Sequence, residues 1–321
     1  MRIRFALAAA FVLALGGGLP AHAAETVVTG MLGSPNSGGW PIYIALKKGF
    51  FEAAGIKPDI IYVPTAPGLV QQLSAGSLDI VGTIGVVEPI HAVEKGAPVA
   101  LIRLMGQVSP YTMLAKPEIH TIEDLKGKIV CIGGIVDINR IYLERIMQAH
   151  GLHHGDYDIV IAGSTGARFA ALKSGAVDAT MLVPPQSFAA EAQGFRNVGM
   201  IIDYAKDLPF SGADVRLDWA AKHRDTLKRF LAVLDQSVAW FYADGNRDEA
   251  IDILVEASHA NRDQVAQSYD FQKKLGYFAR TDAISRTGLE HLIQAMKDLG
   301  DIEGKVTPEK LVIKDLTPLV E

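Results

Sequence analysis

The residues of this chain that could do chemistry are suited to holding a solute more than to transforming one. Hydroxyl, amide and small residues gather in six short loops, each placed where an apolar run gives way to a helical stretch. They are Ser34, Asn36, Ser37 and Gly38; Thr65; Thr83 and Ile84; Gly134, Asp137 and Asn139; Ser164 and Thr165; and Pro184 with Gln186. A helix N-terminus leaves backbone N–H groups unpaired and carries the positive end of the helix dipole, so it favours an anion. A hydroxyl there can add a donor, or it can simply cap its own helix. Recurrence over six loops is what points to binding.

Charged and aromatic residues near these loops set the rest of the expectation. Arg140 follows Asn139 and Arg168 follows the Ser164-Thr165-Gly166 loop; each could supply a cation, but an Arg in the first turns of a helix usually points to solvent. Asp137 and Glu88 would repel a bare anion if they faced it, and otherwise suit the positive ends of their helices. Trp40, Tyr111, Phe188 and Tyr204 could stack on a ring or cover an alkyl chain, and Trp40 could equally be core.

Reactive arrangements are weak by comparison. Gly163-Ser164-Thr165-Gly166 lacks the spacing of a nucleophile elbow. Cys131 lies within an apolar strand-like run, where a cysteine is usually inert packing. His153 and His154 with Asp156 and Asp158 form a polar turn, since adjacent histidines do not share a coordination face as residues at helical spacing do. The expectation is therefore a protein with no catalytic residue, no metal and no cofactor.

The elements that must position the loops are visible as a repeat. Leu73-Ser74-Ala75-Gly76-Ser77-Leu78-Asp79-Ile80 recurs as Leu172-Lys173-Ser174-Gly175-Ala176-Val177-Asp178-Ala179. In both, an apolar helix ends at a glycine suited to a left-handed cap, and an Asp opens the next strand. The flanks correspond too, with a strand, loop, helix and strand ahead of each copy. Two α/β units in the same order predict two similar lobes, and ligands of open α/β sheets bind beyond the carboxyl ends of the strands. From Asp218 onward the pattern is helical, with one helix expected over Trp219 to Ala243, N-caps at Asn246 and Asn261, and packing against the first lobe away from any ligand.

The N-terminus carries Arg2 and Arg4, an apolar run from Phe5 to Leu15, Gly16 to Pro20, and Ala21-His22-Ala23. This is the order of a secretory signal peptide cleaved after Ala23, which predicts a periplasmic protein. The single cysteine excludes an internal disulfide. A net charge of −5 with no basic cluster gives nucleic acid no surface to bind.

Several ordered segments resemble the nitrate/sulfonate/taurine-type periplasmic solute-binding proteins of ABC importers. They are Gly39 to Ile56, Leu73 to Ile80, Ile122 to Lys128, Leu172 to Asp178, and Phe230 to Ala250. The resemblance implies a type II periplasmic-binding fold, two α/β lobes joined by two crossover strands, with the C-terminal helices on the first lobe. It divides the chain into a signal peptide over 1–23, lobe one over 24–105, lobe two over 106–202, and a mainly helical return to lobe one over 203–321. The crossovers are expected near Arg103–Met105 and Ile201–Tyr204. The implied function is capture of a small solute by a monomer that delivers it to an inner-membrane ABC permease. A sulfonate-, taurine- or nitrate-like oxyanion is the favoured solute. The alternatives are an aromatic carboxylate or pyrimidine-type solute, or an enzyme built on the same clamshell.

Overall fold

The computed structural model describes residues 24–321; the expected signal peptide lies outside the described residues. The chain first lays down strand β1 (Glu25–Leu32), helices α1 (Trp40–Lys47) and α2 (Phe50–Ala53), β2 (Ile56–Val63), α3 (Ala66–Ala75), β3 (Ile80–Gly85), α4 (Val87–Glu94) and β4 (Val99–Gly106). It then repeats the theme with β5 (Thr112–Ala115), β6 (Ile129–Ile132), α5 (Ile138–Ala149), β7 (Asp158–Ile161), α6 (Thr165–Lys173), β8 (Ala179–Leu182), α7 (Gln186–Glu191), β9 (Arg196–Met200) and α8 (Ile202–Ala205). The return runs through β10 (Ser211–Arg216), α9 (Leu217–Lys222), α10 (Arg224–Tyr242), α11 (Arg247–Ser258) and α12 (Arg262–Leu275). It ends with β11 (Ile284–Ser285), α13 (Arg286–Asp298), α14 (Pro308–Leu311) and β12 (Leu319–Val320), the two short strands pairing with each other.

The main strands form two five-stranded sheets, ordered β2-β1-β3-β10-β4 and β7-β6-β8-β5-β9. Each is parallel except for one inserted strand: β10 runs antiparallel between β3 and β4, and β5 antiparallel between β8 and β9. Both inserted strands arrive by a crossover from the other sheet, so the two lobes share a topology and are tied twice. This is the type II periplasmic-binding architecture.

The repeated Leu-to-Asp segments do the same mechanical job in both lobes. Gly76 and Gly175 take left-handed conformations, with φ of +84° and +76°, that end α3 and α6. Three residues later the Asp side chain grips the neighbouring strand: Val28 N–H donates to Asp79 Oδ2 at 2.9 Å, and Ile129 N–H to Asp178 Oδ2 at 2.8 Å. The Asp therefore pins the register of β3 against β1 and of β8 against β6, pairing backbone groups that would otherwise be lost at the strand ends.

The crossovers lie slightly later than expected. Arg103–Met105 sits inside β4, where pairing with β10 continues to Gly106, so the first crossover is residues 107–111. The second begins at Ile201 but includes α8 and extends to Phe210. The expected long helix over Trp219–Ala243 is broken at His223 into α9 and α10. Asn261 caps α12 by accepting from Asp263 and Gln264 N–H, whereas the Asn246 side chain instead donates backwards to the Trp240 carbonyl.

Candidate functional site

Between the lobes lies a cavity of about 490 Å³, lined from both sides. The first lobe contributes Ser34, Asn36, Ser37, Gly38, Pro64, Thr83, Ile84, Gly85 and, from the start of β10, Ser211; the second contributes Ser164, Thr165, Gly166, Val183 and Gln186; the crossovers contribute Pro110, Tyr111 and Phe210. These come from loops at the carboxyl ends of strands and from the hinge, as the doubled α/β order requires. Of the seventeen residues singled out from sequence, ten therefore line one cavity: Ser34, Asn36, Ser37, Gly38, Thr83, Ile84, Tyr111, Ser164, Thr165 and Gln186.

The other seven are held elsewhere, each for a stated reason. Trp40 is fully buried in the first lobe, its Nε1 donating to the Ala250 carbonyl at 2.7 Å and its ring packed on Phe241 and Tyr269. The 210 residues between Trp40 and Ala250 are why sequence spacing could not reveal this partner. Thr65 caps α3 by accepting from Gly68 N–H at 3.3 Å. Tyr204 turns away to His150, hydroxyl to ring nitrogen at 2.8 Å. Gly134 stands beside Asp137, which caps α5 and binds the Asn139 side chain at 2.6 Å. Asn139 lies behind the cavity wall, where its Nδ2 also donates to the Tyr111 hydroxyl at 3.3 Å. Pro184 is buried at the seam, and its carbonyl accepts from the Ser37 hydroxyl of the opposite lobe at 3.0 Å.

The cation question resolves against expectation. Arg140 pairs with Asp301 at 3.3 Å and stays out of the cavity. Arg168 does not point to solvent; it is 2% exposed, folded back beneath the second-lobe wall. Its Nε donates to the Met181 carbonyl at 3.2 Å, Nη1 to the Gly163 carbonyl, and Nη2 to Thr165 Oγ1 at 3.2 Å and to the Tyr111 hydroxyl at 3.4 Å. No carboxylate pairs with it among the described residues. The Asp137 carboxylate stands across Gly133 from it without an ion-pair contact, and backbone carbonyls and hydroxyls supply the hydrogen bonds that a buried guanidinium needs.

These bonds decide which way the hydroxyls face. Thr165 Oγ1 accepts from Arg168, and the Tyr111 oxygen accepts from both Arg168 and Asn139. The Asn139 amide is oriented by Asp137, which can only accept, so Nδ2 is the donor. Each hydroxyl therefore keeps its own hydrogen free, and both side chains line the cavity. Burial pushes the Tyr111 phenol above its usual range against the pull of Arg168, so it stays a donor at neutral pH.

Two lining residues come from the C-terminal region, which was expected to stay clear of any ligand. Gln272 on α12 and Tyr277 just after it both line the cavity. α12 reaches the second lobe, with Phe271 edge-on to Phe188 of α7 at 5.8 Å. The signal was present: Val265, Tyr269 and Gln272 fall on the buried stripe of α12, and a glutamine on an apolar stripe needs a polar partner. Tyr277 also ties to the hinge, its carbonyl accepting from Gln107 N–H at 2.9 Å.

Glu88, in the first turn of α4, sits beside the cavity with Oε2 against Gly85, buried and unpaired. Burial, reinforced by the Asp137 carboxylate, pushes its pKa up to about 8, so it is neutral at pH 7. Asp214 on β10, 1% exposed and without a hydrogen-bond partner, is held well above the carboxylate range by burial alone.

The model of the NMT1/THI5 like family matches residues 36–247 of the chain. The protein YtlA of Bacillus subtilis (strain 168) is 21% identical over 286 residues, spanning 87% of this chain and 85% of its own. Among solved structures, the ligand-binding component of an ABC-type import system from Staphylococcus aureus, solved with zinc bound, superimposes with a TM-score of 0.78 at 14% identity, covering 91% of this chain and 98% of its own. The periplasmic aliphatic sulphonate-binding protein SsuA from Escherichia coli gives 0.74 at 20% identity, covering 92% and 94%. These likenesses carry the fold. Among the described residues of this chain no group of three or more His, Cys, Asp or Glu side chains is placed to hold a metal ion.

Proposed function

We propose, from the premise that this chain belongs to the NMT1/THI5-like family, that it is the solute-binding component of an ABC-type importer and holds a small organic oxyanion between its lobes. The observation that carries the reading is Arg168: a buried guanidinium in no ion pair among the described residues, donating to the hydroxyls of Tyr111 and Thr165, two residues of the cavity lining. Hydrogen bonds from donors backed by a charge are the strong kind, and their closest complement is an anion. The protein is a monomer exported to the periplasm after cleavage at Ala23, and its partner is an inner-membrane permease.

Sulfonates and carboxylates fit this site better than nitrate, which would leave the aromatic part of the lining uncovered. A neutral pyrimidine could accept from these hydroxyls but would bring no charge to the Arg168 end. An enzyme of the same clamshell fold is disfavoured because the lining includes no His, Cys, Lys, Asp or Glu to move protons.

Mechanism follows from geometry. A solute touching both walls binds the closed arrangement better than the open one, and only that difference can shift the population. The crossovers at 107–111 and 201–210 are the segments that flex, and the permease reads the closed form from the rims of the two lobes.

The test is a thermal-shift screen of the mature chain with sulfonates, carboxylates, nitrate and neutral isosteres. A ligand at 100 times its dissociation constant stabilises by about 2.7 kcal/mol. Organic anions are expected to raise the melting temperature. Response to neutral pyrimidines alone would overturn the anion reading.

A further inference from the structure

The wall facing Arg168 is built with the opposite hydrogen-bond polarity. The Ser37 hydroxyl donates to the Pro184 carbonyl at 3.0 Å, and a carbonyl can only accept, so the single Ser37 hydrogen is committed there. The Gln272 group 3.0 Å from Ser37 Oγ must then be its NH₂, which fixes the amide orientation and leaves Oε1 pointing elsewhere. Gln272 is 1% exposed, lines the cavity, and its Oε1 has no partner among the described residues. A buried carbonyl oxygen without a donor is the exception in folded proteins, and each instance calls for a partner.

Between the two poles runs a row of rings. Tyr111, whose hydroxyl belongs to the anion end, meets Phe210 edge-on at 5.6 Å, and Phe210 meets Tyr277 at 6.1 Å. Tyr277 in turn is anchored to Gln272 by its N–H to the Gln272 carbonyl, at 3.0 Å. All four residues line the same cavity.

We infer that Gln272 is a specificity-determining residue, and that the cavity selects an oxyanion carrying an N–H or O–H donor at the far end of an apolar, ring-sized body. The inference rests on the anion reading of the Arg168 end. The acid group takes the Tyr111 and Thr165 hydrogens, the body covers the ring row, and the remote donor reaches Gln272 Oε1, which is closed over in this structure, as the lining adjusts around the solute. A solute lacking that donor leaves the buried oxygen unpaired and is rejected, which is how a polar site discriminates more sharply than an apolar one. Because the same amide orients Ser37, whose hydroxyl crosses to Pro184, occupation of Oε1 is read at the contact that holds the lobes together.

The experiment is titration calorimetry of the mature chain with two matched pairs: 4-hydroxybenzoate against benzoate, and 4-aminobenzenesulfonate against benzenesulfonate. In the wild type the donor-bearing member of at least one pair is expected to bind about tenfold or more tightly. In Gln272→Met the ratio within that pair falls toward one; a melting curve without ligand establishes that the variant folds. Equal affinities within both pairs in the wild type would overturn the inference, and so would a ratio that survives in the folded variant. If alkyl or inorganic anions bind while none of the four aromatic probes does, the inference fails and the anion reading stands. If no anion binds, the anion reading fails first.

Discussion

Ser37 and Pro184 stand on opposite lobes, both buried, and the serine hydroxyl donates directly to the proline carbonyl at 3.0 Å. The bond exists only when the lobes are this close, so it stabilises the closed state alone. Ser37→Ala is expected to weaken solute binding by about 0.5–1.5 kcal/mol, the net worth of one hydrogen bond. Calorimetry reads the affinity, and small-angle scattering should show less compaction at sub-saturating solute than in the wild type. Unchanged affinity would place closure outside this contact.

Arg168→Met should reduce affinity for an organic anion by roughly tenfold to a hundredfold, the range for hydrogen bonds backed by a charge. Arg168→Lys should recover only part of the loss, since a point charge cannot reach Met181, Gly163, Thr165 and Tyr111 from one planar fork. Calorimetry on both variants, alongside their unliganded melting curves, separates lost binding from lost packing. Wild-type affinity in Arg168→Met would remove the anion end from Arg168.

Glu88 gives stability a pH dependence of definite sign. Its folded pKa is raised from 4.5 to about 8, so across that window the folded state holds a proton the unfolded state has released. Stability is full below the window and falls as pH rises through it, by at most about 1.4 kcal/mol per unit. Asp214, raised by burial, acts in the same direction. Melting temperature measured from pH 5 to pH 8 should decline in the wild type and decline less in Glu88→Gln. Parallel curves for the two proteins would mean Glu88 is ionised in the fold.

Trp40→Phe separates a core role of the indole from a role in the cleft. With the indole N–H gone, the buried Ala250 carbonyl keeps only its bond within α11 and loses its second donor, a cost of about 0.5–1.5 kcal/mol. Denaturant unfolding should show that loss, while affinity for the solute stays at the wild-type value. A large affinity change with little loss of stability would return Trp40 to the cleft.

What was legible in the sequence was whatever repeats or recurs locally. Gly76 with Asp79 and Gly175 with Asp178 carry their geometry in their spacing, and they led to two sheets of the same order. The loops at strand ends were legible for the same reason, and ten of their residues and neighbours meet at one cavity. What was not legible depends on partners brought from far along the chain. Arg168 is drawn inward by carbonyls of Met181 and Gly163, and Trp40 by a carbonyl on α11. The usual exposure of Arg and the usual ambiguity of Trp could not anticipate either. Gln272 lies in a region that carries no loop pattern, and only its place on the apolar stripe of α12 marks it.

The insertion of β10 between β3 and β4 has a consequence for how the chain acquires its structure. An interior position of the first sheet, next to its edge strand β4, is filled by a strand synthesised only after every strand of the second sheet has been made. Until Ser211–Arg216 appears, β3 and β4 have no ladder between them, and β4, buried along its whole length in the finished protein, has no place to go. Such long-range pairing is slow to form, because distant segments must meet before either is rewarded. The β2-β1-β3 ladder can form without β10, but β4 must wait, so the first sheet is completed only after the whole second lobe has been made.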